Sequence, residues 1–315
     1  MNNSHGRYVL ATELVSPMGM NLELSLAIAK ADLARFEQKP ADNGIDKYNF
    51  AKIDFISGES LFSRVTNTLS ILLDSLLDKI PTSLKPVPLM ISIPSPIFSE
   101  ELQRWFDEKD YSRAISNIDI QHSSGPQYIE KTINKLDSHD ALISISIDSL
   151  VERIEDLIAS NQVLGSNNPW GIIPSEGGAG MVLARKNIID TLKLQPVARF
   201  GHFDAEYGVS DRRGMMRIVQ RLSKKIQSFG WVFSDMTNTR NDTEDYGFAL
   251  GARAEYFLNP QQPFLINELW GTLGNCSPMA LIATAIQENR SSEPSSLLMF
   301  SITGDRAILQ LDNQF

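Results

Sequence analysis

The sequence predicts an α/β protein built from one unit repeated twice. Two observations carry this. Apolar runs that read as strands alternate with segments whose apolar residues recur at helical spacing. The order of these elements in the first half of the chain then recurs in the second. Regular alternation argues parallel strands covered by helices. Repetition of the whole order argues an internal duplication, with halves at 1–190 and 191–315.

The elements follow in order. "RYVLATEL" (7–14) predicts the first strand, and "SPMG" ends it. Helical spacing follows over 21–36, with Asn21 as N-cap and Leu24 and Ile28 on the buried stripe. Residues 37–57 are polar and irregular and read as surface loop. Residues 60–79 form an amphipathic helix. "VPLMISI" (87–93) is almost wholly apolar, as a strand covered on both faces is. A helix near 98–109, the strand 115–120, the helix 126–136 and the strand 141–147 follow. "GAGMVLAR" (178–185) closes the first half.

The second half repeats the scheme. Strands are predicted at 194–203, 231–235 and 263–268. Helices are predicted at 212–227, 242–257 and 277–288, the first with Met216, Ile218, Leu222 and Ile226 on one side. "SLLMFSI" and "DRAILQL" are the closing strands.

Composition narrows the function. The 315 residues carry a formal net charge of −9 without a basic run, so nucleic acid is not an expected partner. The single cysteine excludes an intrachain disulfide framework, and four histidines leave little material for a zinc site. No metal or cofactor is expected. The opening "MNNSHGRYVLATELVSP" lacks a basic stretch followed by an apolar one, so no signal peptide is expected. The longest apolar segments are broken by charges or too short for a bilayer. The expected setting is cytoplasmic, without membrane contact.

Four patches carry a family resemblance. "YVLATELVSPMGMNLELSLAIAKA" resembles the opening strand, turn and helix of β-ketoacyl synthases of the thiolase superfamily. "DALISISIDSL" followed by "PSEGGAGMVLAR" resembles their strand after the nucleophile helix and their "GEGAG" strand. "SDMTNTRNDTED" resembles the "HGTGTxxND" loop. "GTLGNCSPMALIATAI" with "MFSITGDRAILQL" resembles the "GHTxGAAG" loop and the closing "GFGG" segment. The patches come in the family's order over most of the chain. The resemblance implies a duplicated thiolase-like fold in five layers, α-β-α-β-α, with helices outside and between two mixed sheets.

The same resemblance argues against the family's chemistry. Those synthases use a cysteine nucleophile and two histidines. Matched outward from Asp140, the nucleophile position falls on Gln121 or His122, depending on register. The first histidine position falls on Asp235 and the second on Gly271. An ionised aspartate only accepts hydrogen bonds, and glycine offers no side chain. The chain is also shorter than synthases of this kind. A shortened, degenerate synthase is implied: a non-catalytic binding, scaffold or partner subunit. Its implied partners are an acyl carrier protein or an active ketosynthase subunit, in a homo- or heterodimer built on the "SNIDI" strand. Glutamine near the nucleophile position also resembles chain-length factors. The alternative is altered chemistry, acyl transfer or thioester hydrolysis, using His122 with Asp235.

The remaining residues receive roles by the same matching. Thr237, Thr239, Thr303 and Gly304 are ligand-binding candidates. Glu176 ties the core together, and Gly177, Gly178 and Gly180 suit close backbone approach. Asp242 is the structural aspartate of the "ND" pair and caps the next helix. Asp235, Asp242, Glu244 and Asp245 form an acidic cluster suited to a hard metal in principle, with the structural role preferred. Cys276 lies in a small-residue loop before a helix, the setting of an ordinary small buried hydrophobe.

Overall fold

In the computed structural model, which describes residues 6–33, 36–40, 47–289 and 291–313, the elements run as follows. The first set is β1 (Arg7–Val15), α1 (Leu22–Lys30), β2 (Glu37–Pro40), β3 (Lys47–Phe50), α2 (Leu61–Asp78), β4 (Val87–Ser92), α3 (Ser99–Glu108), β5 (Ile115–Gln121), α4 (Gly125–Lys135), β6 (Ala141–Ser149), α5 (Ile154–Ala159), β7 (Glu176–Arg185) and α6 (Lys186–Leu192). The second is β8 (Ala198–Glu206), α7 (Gly214–Leu222), β9 (Trp231–Ser234), α8 (Arg240–Arg253), β10 (Phe264–Leu265), α9 (Asn267–Trp270), α10 (Ser277–Glu288), β11 (Ser295–Phe300) and β12 (Arg306–Asp312).

The strand order shows the duplication. One sheet runs β5-β4-β6-β7-β1-β8-β12-β11-β9-β10. Read from the centre outward, β1, β7, β6, β4, β5 and β8, β12, β11, β9, β10 are the same succession. In each, the strand beside the centre, β7 or β12, is antiparallel to both neighbours, and the outer three are mutually parallel. Two mixed sheets were expected from the sequence. They are joined here because β1 and β8 pair at the seam, through Tyr8 with Arg199 and Val9 with Ala198.

Three apolar cores alternate with the sheet. On the outer face of the first half, Leu69, Leu72 and Leu76 of α2 pack on Ile143, Ile145 and Val182. Ser60 and Ser63 form a capping box that starts α2. Each fully buried leucine contributes about 1.5–3 kcal/mol. Glycine lets α2 come close: a Cβ at Gly178 or Gly180 would lie 2.7 Å from Leu72 or Leu76. On the outer face of the second half, Ile218, Val219 and Leu222 of α7 meet Leu298 and Ile308. The middle core holds Ile129 and Ile133 of α4, Met279 and Ile282 of α10, and the opposite faces of both sheet halves. Strand β6 shows the sorting: Ile143, Ile145 and Ile147 face α2, and Leu142 faces the middle.

Several local expectations are corrected. Leu24 is exposed; α1 turns Leu22, Ser25 and Leu26 inward. The Ser25 hydroxyl sits 2.9 Å from that of Ser16 and donates to the Gly19 carbonyl, so a polar residue fills an inward place. Residues 34 and 35 of the predicted helix lie outside the described residues. Within 37–57, β2 and β3 pair antiparallel, and Ala51, Ile53 and Ile56 are buried. The helix predicted over 212–227 ends at Leu222 and buries Met215 rather than Met216. Strand β10 is two residues long because the chain turns at once into α9.

Candidate functional site

Helices α4 and α10 hold the same place in the two halves: leaving aside the separate β2–β3 pair, α4 follows the third main-sheet strand of its half, β5, and precedes the fourth, β6, as α10 lies between β10 and β11. They pack against each other in the middle core, and each carries proline in its first turn, Pro126 and Pro278. Their N-termini abut. A Cβ at Gly125 would stand 2.5 Å from Pro278 Cγ and 2.8 Å from the Asn275 carbonyl oxygen. Asp305, just before β12, locks α4 in place. It accepts from the Ser124 hydroxyl at 2.5 Å, Gln127 Nε2 at 2.9 Å and the Gly208 amide at 2.8 Å.

A cavity of about 360 Å3 opens at this junction, with Gly125, Pro126, Ser277 and Pro278 in its wall. The segment after β6 contributes Leu150, Arg153 and Leu157, and the loop after β11 contributes Ser301 and Thr303. Asp235, one residue past β9, is 2% exposed and lines the same cavity. Its Oδ1 accepts from the Phe300 amide at 2.7 Å, and its Oδ2 is buried without a partner. Burial pushes the pKa of this carboxyl well above the usual carboxylate range, and the charge of Asp242 acts in the same direction. The Ser277 hydroxyl, also in the wall, is likewise buried without a partner.

Asp148 forms another part of the wall. It accepts from the amides of Ser149 and Asn275, each at 2.8 Å. Gly274, with φ of 63°, lets that carboxylate press in: a Cβ there would lie 2.4 Å from Asp148 Oδ2. Burial raises the Asp148 carboxyl as well. Cys276 sits behind this loop, fully removed from solvent. Burial pushes its thiol well above the ordinary range, with the Asp148 charge adding to the shift. It packs as an apolar residue, and it is not among the cavity wall residues.

A second space of about 470 Å3 adjoins the first and shares Thr237, Asp242 and Thr303 with it. Thr239 and Gly304 line this outer space, beside Trp170 and Arg212. All four ligand-binding candidates therefore border one connected cleft. Thr237 and Asp242 form its floor: the Thr237 hydroxyl donates to Asp242 Oδ2 at 2.6 Å and its amide at 3.1 Å. Asp242 does not cap α8. The N-cap is Thr239, and Asp242 stands in the first turn, fixed by Arg306 at 3.0 Å. Arg306 also holds Asp245 at 2.9 Å, while Glu244 pairs with Arg212 and Arg240. Asp242, Glu244 and Asp245 of the acidic cluster are thus paired with arginines, and Asp235 stands apart from them on the Phe300 amide. Among the described residues no group of three or more His, Cys, Asp or Glu is placed to hold a metal ion. Nor is any helix among them long and apolar enough to cross a membrane.

The other degenerate positions lie elsewhere. Gln121, at the end of β5, donates to Asp119 at 2.6 Å and accepts from Lys131 at 2.9 Å. His122 is exposed, with Nε2 3.4 Å from the Ser99 hydroxyl. Neither lines the cavity; Gly125 does. The proposed working pair of His122 with Asp235 is therefore not assembled. The chain between β5 and α4 turns His122 to solvent, while Asp235 is sealed inside. Gly271 has φ of 77° and backs onto the Ile173 carbonyl, where a Cβ would lie 2.9 Å away. Glu176 is structural: it accepts from the Ile53 amide at 2.8 Å and pairs with the buried Arg64 guanidinium. Gly177 keeps β7 against the β1 backbone, since a Cβ would meet the Val15 carbonyl at 2.7 Å.

Sequence reasoning missed Gly125, Pro278, Ser277 and Asp148. A signal was present: "SGP" and "CSP" open equivalent helices in the two halves, and a Gly-Pro or Ser-Pro pair marks a helix start.

No family model and no curated protein matches this sequence. Solved structures do. The chain is similar to the ishigamide ketosynthase/chain length factor, at 11% identity and TM-score 0.74, over 98% of this chain and 100% of that one. It is similar to a type II polyketide ketosynthase in complex with its acyl-carrier protein and bound to the hexaketide, at 9% identity and TM-score 0.75, over 99% and 100%. It is also similar to the peroxisomal 3-ketoacyl-CoA thiolase of Saccharomyces cerevisiae, at 12% identity and TM-score 0.61, over 99% of each chain. That thiolase is a five-layered α-β-α-β-α structure made of two core domains of identical topology. The repeated strand succession and the three helix layers agree with it, and this chain has the thiolase fold, in the form shared by ketosynthases and chain length factors.

Proposed function

We propose that this chain is a non-catalytic, ketosynthase-like subunit that acts by binding or scaffolding, with halves at 1–190 and 191–315. One observation carries the reading. The end of α4 that faces the cavity is closed to any side chain, because Gly125 lies against Pro278 and the Asn275 carbonyl. A nucleophile at that helix end has no room. The one thiol is buried behind the Asp148 loop with its thiolate disfavoured. An acid stands where the family matching puts the first imidazole, and a glycine where it puts the second.

The partner class follows from two neighbours in fold, a ketosynthase/chain length factor and a ketosynthase with its acyl-carrier protein. An active ketosynthase or an acyl carrier protein is therefore the proposed partner. Among the described residues strand β5 ends the sheet and no strand pairs with its outward edge, which suits pairing across a dimer.

The test is malonyl-thioester decarboxylation and condensation with a purified carrier protein. The expected result is no turnover above background by the wild type. Turnover that Asp235→Ala abolishes would overturn the reading. Sedimentation of the chain, alone and with a carrier protein or ketosynthase, tests the partner claim. A monomer that binds neither would remove it.

A further inference from the structure

The cavity at the α4–α10 junction has walls of unequal firmness. On one side stand α4 and α10, which bury residues in every turn and carry proline at their starts. On another side runs the stretch 150–162, which contributes Leu150, Arg153, Asp156, Leu157, Ser160 and Gln162. The middle of that stretch, a short turn at 151–153 and then α5, buries no residue. Val151, Ile154, Leu157 and Ile158 recur at helical spacing, yet each is only half-buried. A six-residue helix is too short to hold itself together in water, and α5 has no side-chain N-cap.

The stretch is anchored at both ends and loosely held between them. At the near end the Leu150 amide donates to the Ser175 carbonyl at 2.9 Å. At the far end the Leu164 amide donates to the Ile172 carbonyl at 2.7 Å, and the Ile172 amide to the Gln162 carbonyl at 2.8 Å. Among the described residues, three polar links tie 151–161 to the rest of the protein. Asn168 Nδ2 donates to the Asn161 carbonyl at 2.7 Å, Lys39 pairs with Glu155 at 3.5 Å, and Arg153 reaches Asp148 at 3.9 Å. Lys39 and Glu155 are both exposed, and such pairs contribute little. Asn161 has φ of 54°, a left-handed conformation that asparagine tolerates.

We propose that residues 151–161 are a lid over this cavity, opening as a unit while α4 and α10 stay folded. Asn161 is the hinge, where α5 meets the anchored stretch, and Arg153 on Asp148 is the latch. Local opening of this kind belongs to segments with little buried apolar surface and solvent-exposed backbone hydrogen bonds. The lid governs how solutes reach the deep wall at Asp148 and Ser277, each no more than 3% exposed. The inference does not depend on the chain being non-catalytic.

Hydrogen exchange of the full chain, read by mass spectrometry, tests the motion. Peptides covering 154–161 are expected to exchange about 100-fold or more faster than those of α4 and α10. Their rate is expected to stay flat in urea below the unfolding transition, because local opening exposes little surface, whereas α4 and α10 speed up. Thiol labelling tests the gate. In a Cys276→Ala background, the thiol introduced by Ser277→Cys is expected to react with methyl methanethiosulfonate about 100-fold or more slowly than an exposed thiol. Arg153→Ala is expected to raise lid exchange and this labelling by the same factor, about twofold to fivefold, as loss of one partly exposed ion pair does. Asn161→Val, which disfavours the hinge conformation, is expected to speed lid exchange severalfold and leave α4 and α10 unchanged; it decides the case if Ser277→Cys does not fold. Lid peptides that exchange no faster than α4 and α10, or with the same urea dependence, overturn the motion. So does an Asn161→Val acceleration shared equally by α4 and α10. A thiol that reacts like an exposed one, or that ignores Arg153→Ala while lid exchange rises, overturns the gate.

Discussion

Gly125 of α4 backs onto Pro278 of α10 so closely that a methyl group on its Cα would stand 2.5 Å from the ring. Both residues belong to the first turns of equivalent helices, and neither backbone yields without moving a buried helix. Gly125→Ala is therefore expected to destabilise the protein by about 1–3 kcal/mol, the usual cost of overpacking. Gly125→Cys is expected to cost at least as much and to install no acylatable thiol. Denaturant unfolding and intact mass after incubation with an acyl-thioester read the two effects. A Gly125→Cys protein of wild-type stability that acylates at the introduced thiol would show the site to be open.

Arg64 and Glu176 form the second structural lock. Their buried pair anchors α2 and the start of β7, with the Ile53 amide and Ser149 hydroxyl also on the carboxylate. Breaking a buried pair strands the partner's charge, so Glu176→Gln and Arg64→Met are each expected to cost about 3–5 kcal/mol. The double substitution is expected to cost less than the sum, since no orphan charge remains. Additive losses in the double-mutant cycle would show that the two side chains act independently.

Much of the fold was legible in the sequence because strand and helix periods are local. Unbroken runs such as "VPLMISI" and "ALISISI" announce strands covered on both faces, and β4 and β6 are that. The join of the two sheets was not legible, since it rests on two residue pairs distant in sequence. Leu24 misled because burial on α1 is set by Ser25, whose hydroxyl satisfies a turn that sequence periodicity does not see. At the site, Asp235 and Thr237 were legible as matched positions. The place of Gly125 was not: the match pointed to Gln121 or His122, and only the packing of α4 on α10 shows which residue faces the cavity.

Cys276 offers a direct check on the buried loop. Its thiol is wholly removed from solvent, and burial together with the Asp148 charge disfavours the thiolate. An aromatic disulfide reagent is expected to leave the native protein unlabelled at pH 8 and to titrate one thiol per chain after unfolding. Cys276→Ala is expected to cost only about 1 kcal/mol, the loss of a small buried group. Labelling of the folded protein within seconds would contradict the assigned burial.

The last expectation concerns Asp235 and pH. Its carboxyl is raised in the folded state by burial, while the unfolded chain ionises near the ordinary value of about 3.9. Between those two values the native state holds one proton more than the unfolded state. Stability from this group therefore falls as pH rises through that window, by up to about 1.4 kcal/mol per pH unit. Below the unfolded value both states are protonated, and the group contributes no slope. Asp148 is raised too and acts with the same sign, whereas Glu13 and Asp119 are lowered and act with the opposite one. Total stability against pH mixes these effects. The difference between wild type and Asp235→Asn isolates one, because the amide has no proton to lose and the other groups are common to both proteins. Wild type is expected to lose ground to Asp235→Asn as pH is raised above the ordinary carboxylate value of about 4. Urea unfolding of both proteins at half-unit intervals measures it. A difference that stays flat over that range, or one that grows in favour of wild type, would mean that Asp235 is ionised in the folded protein.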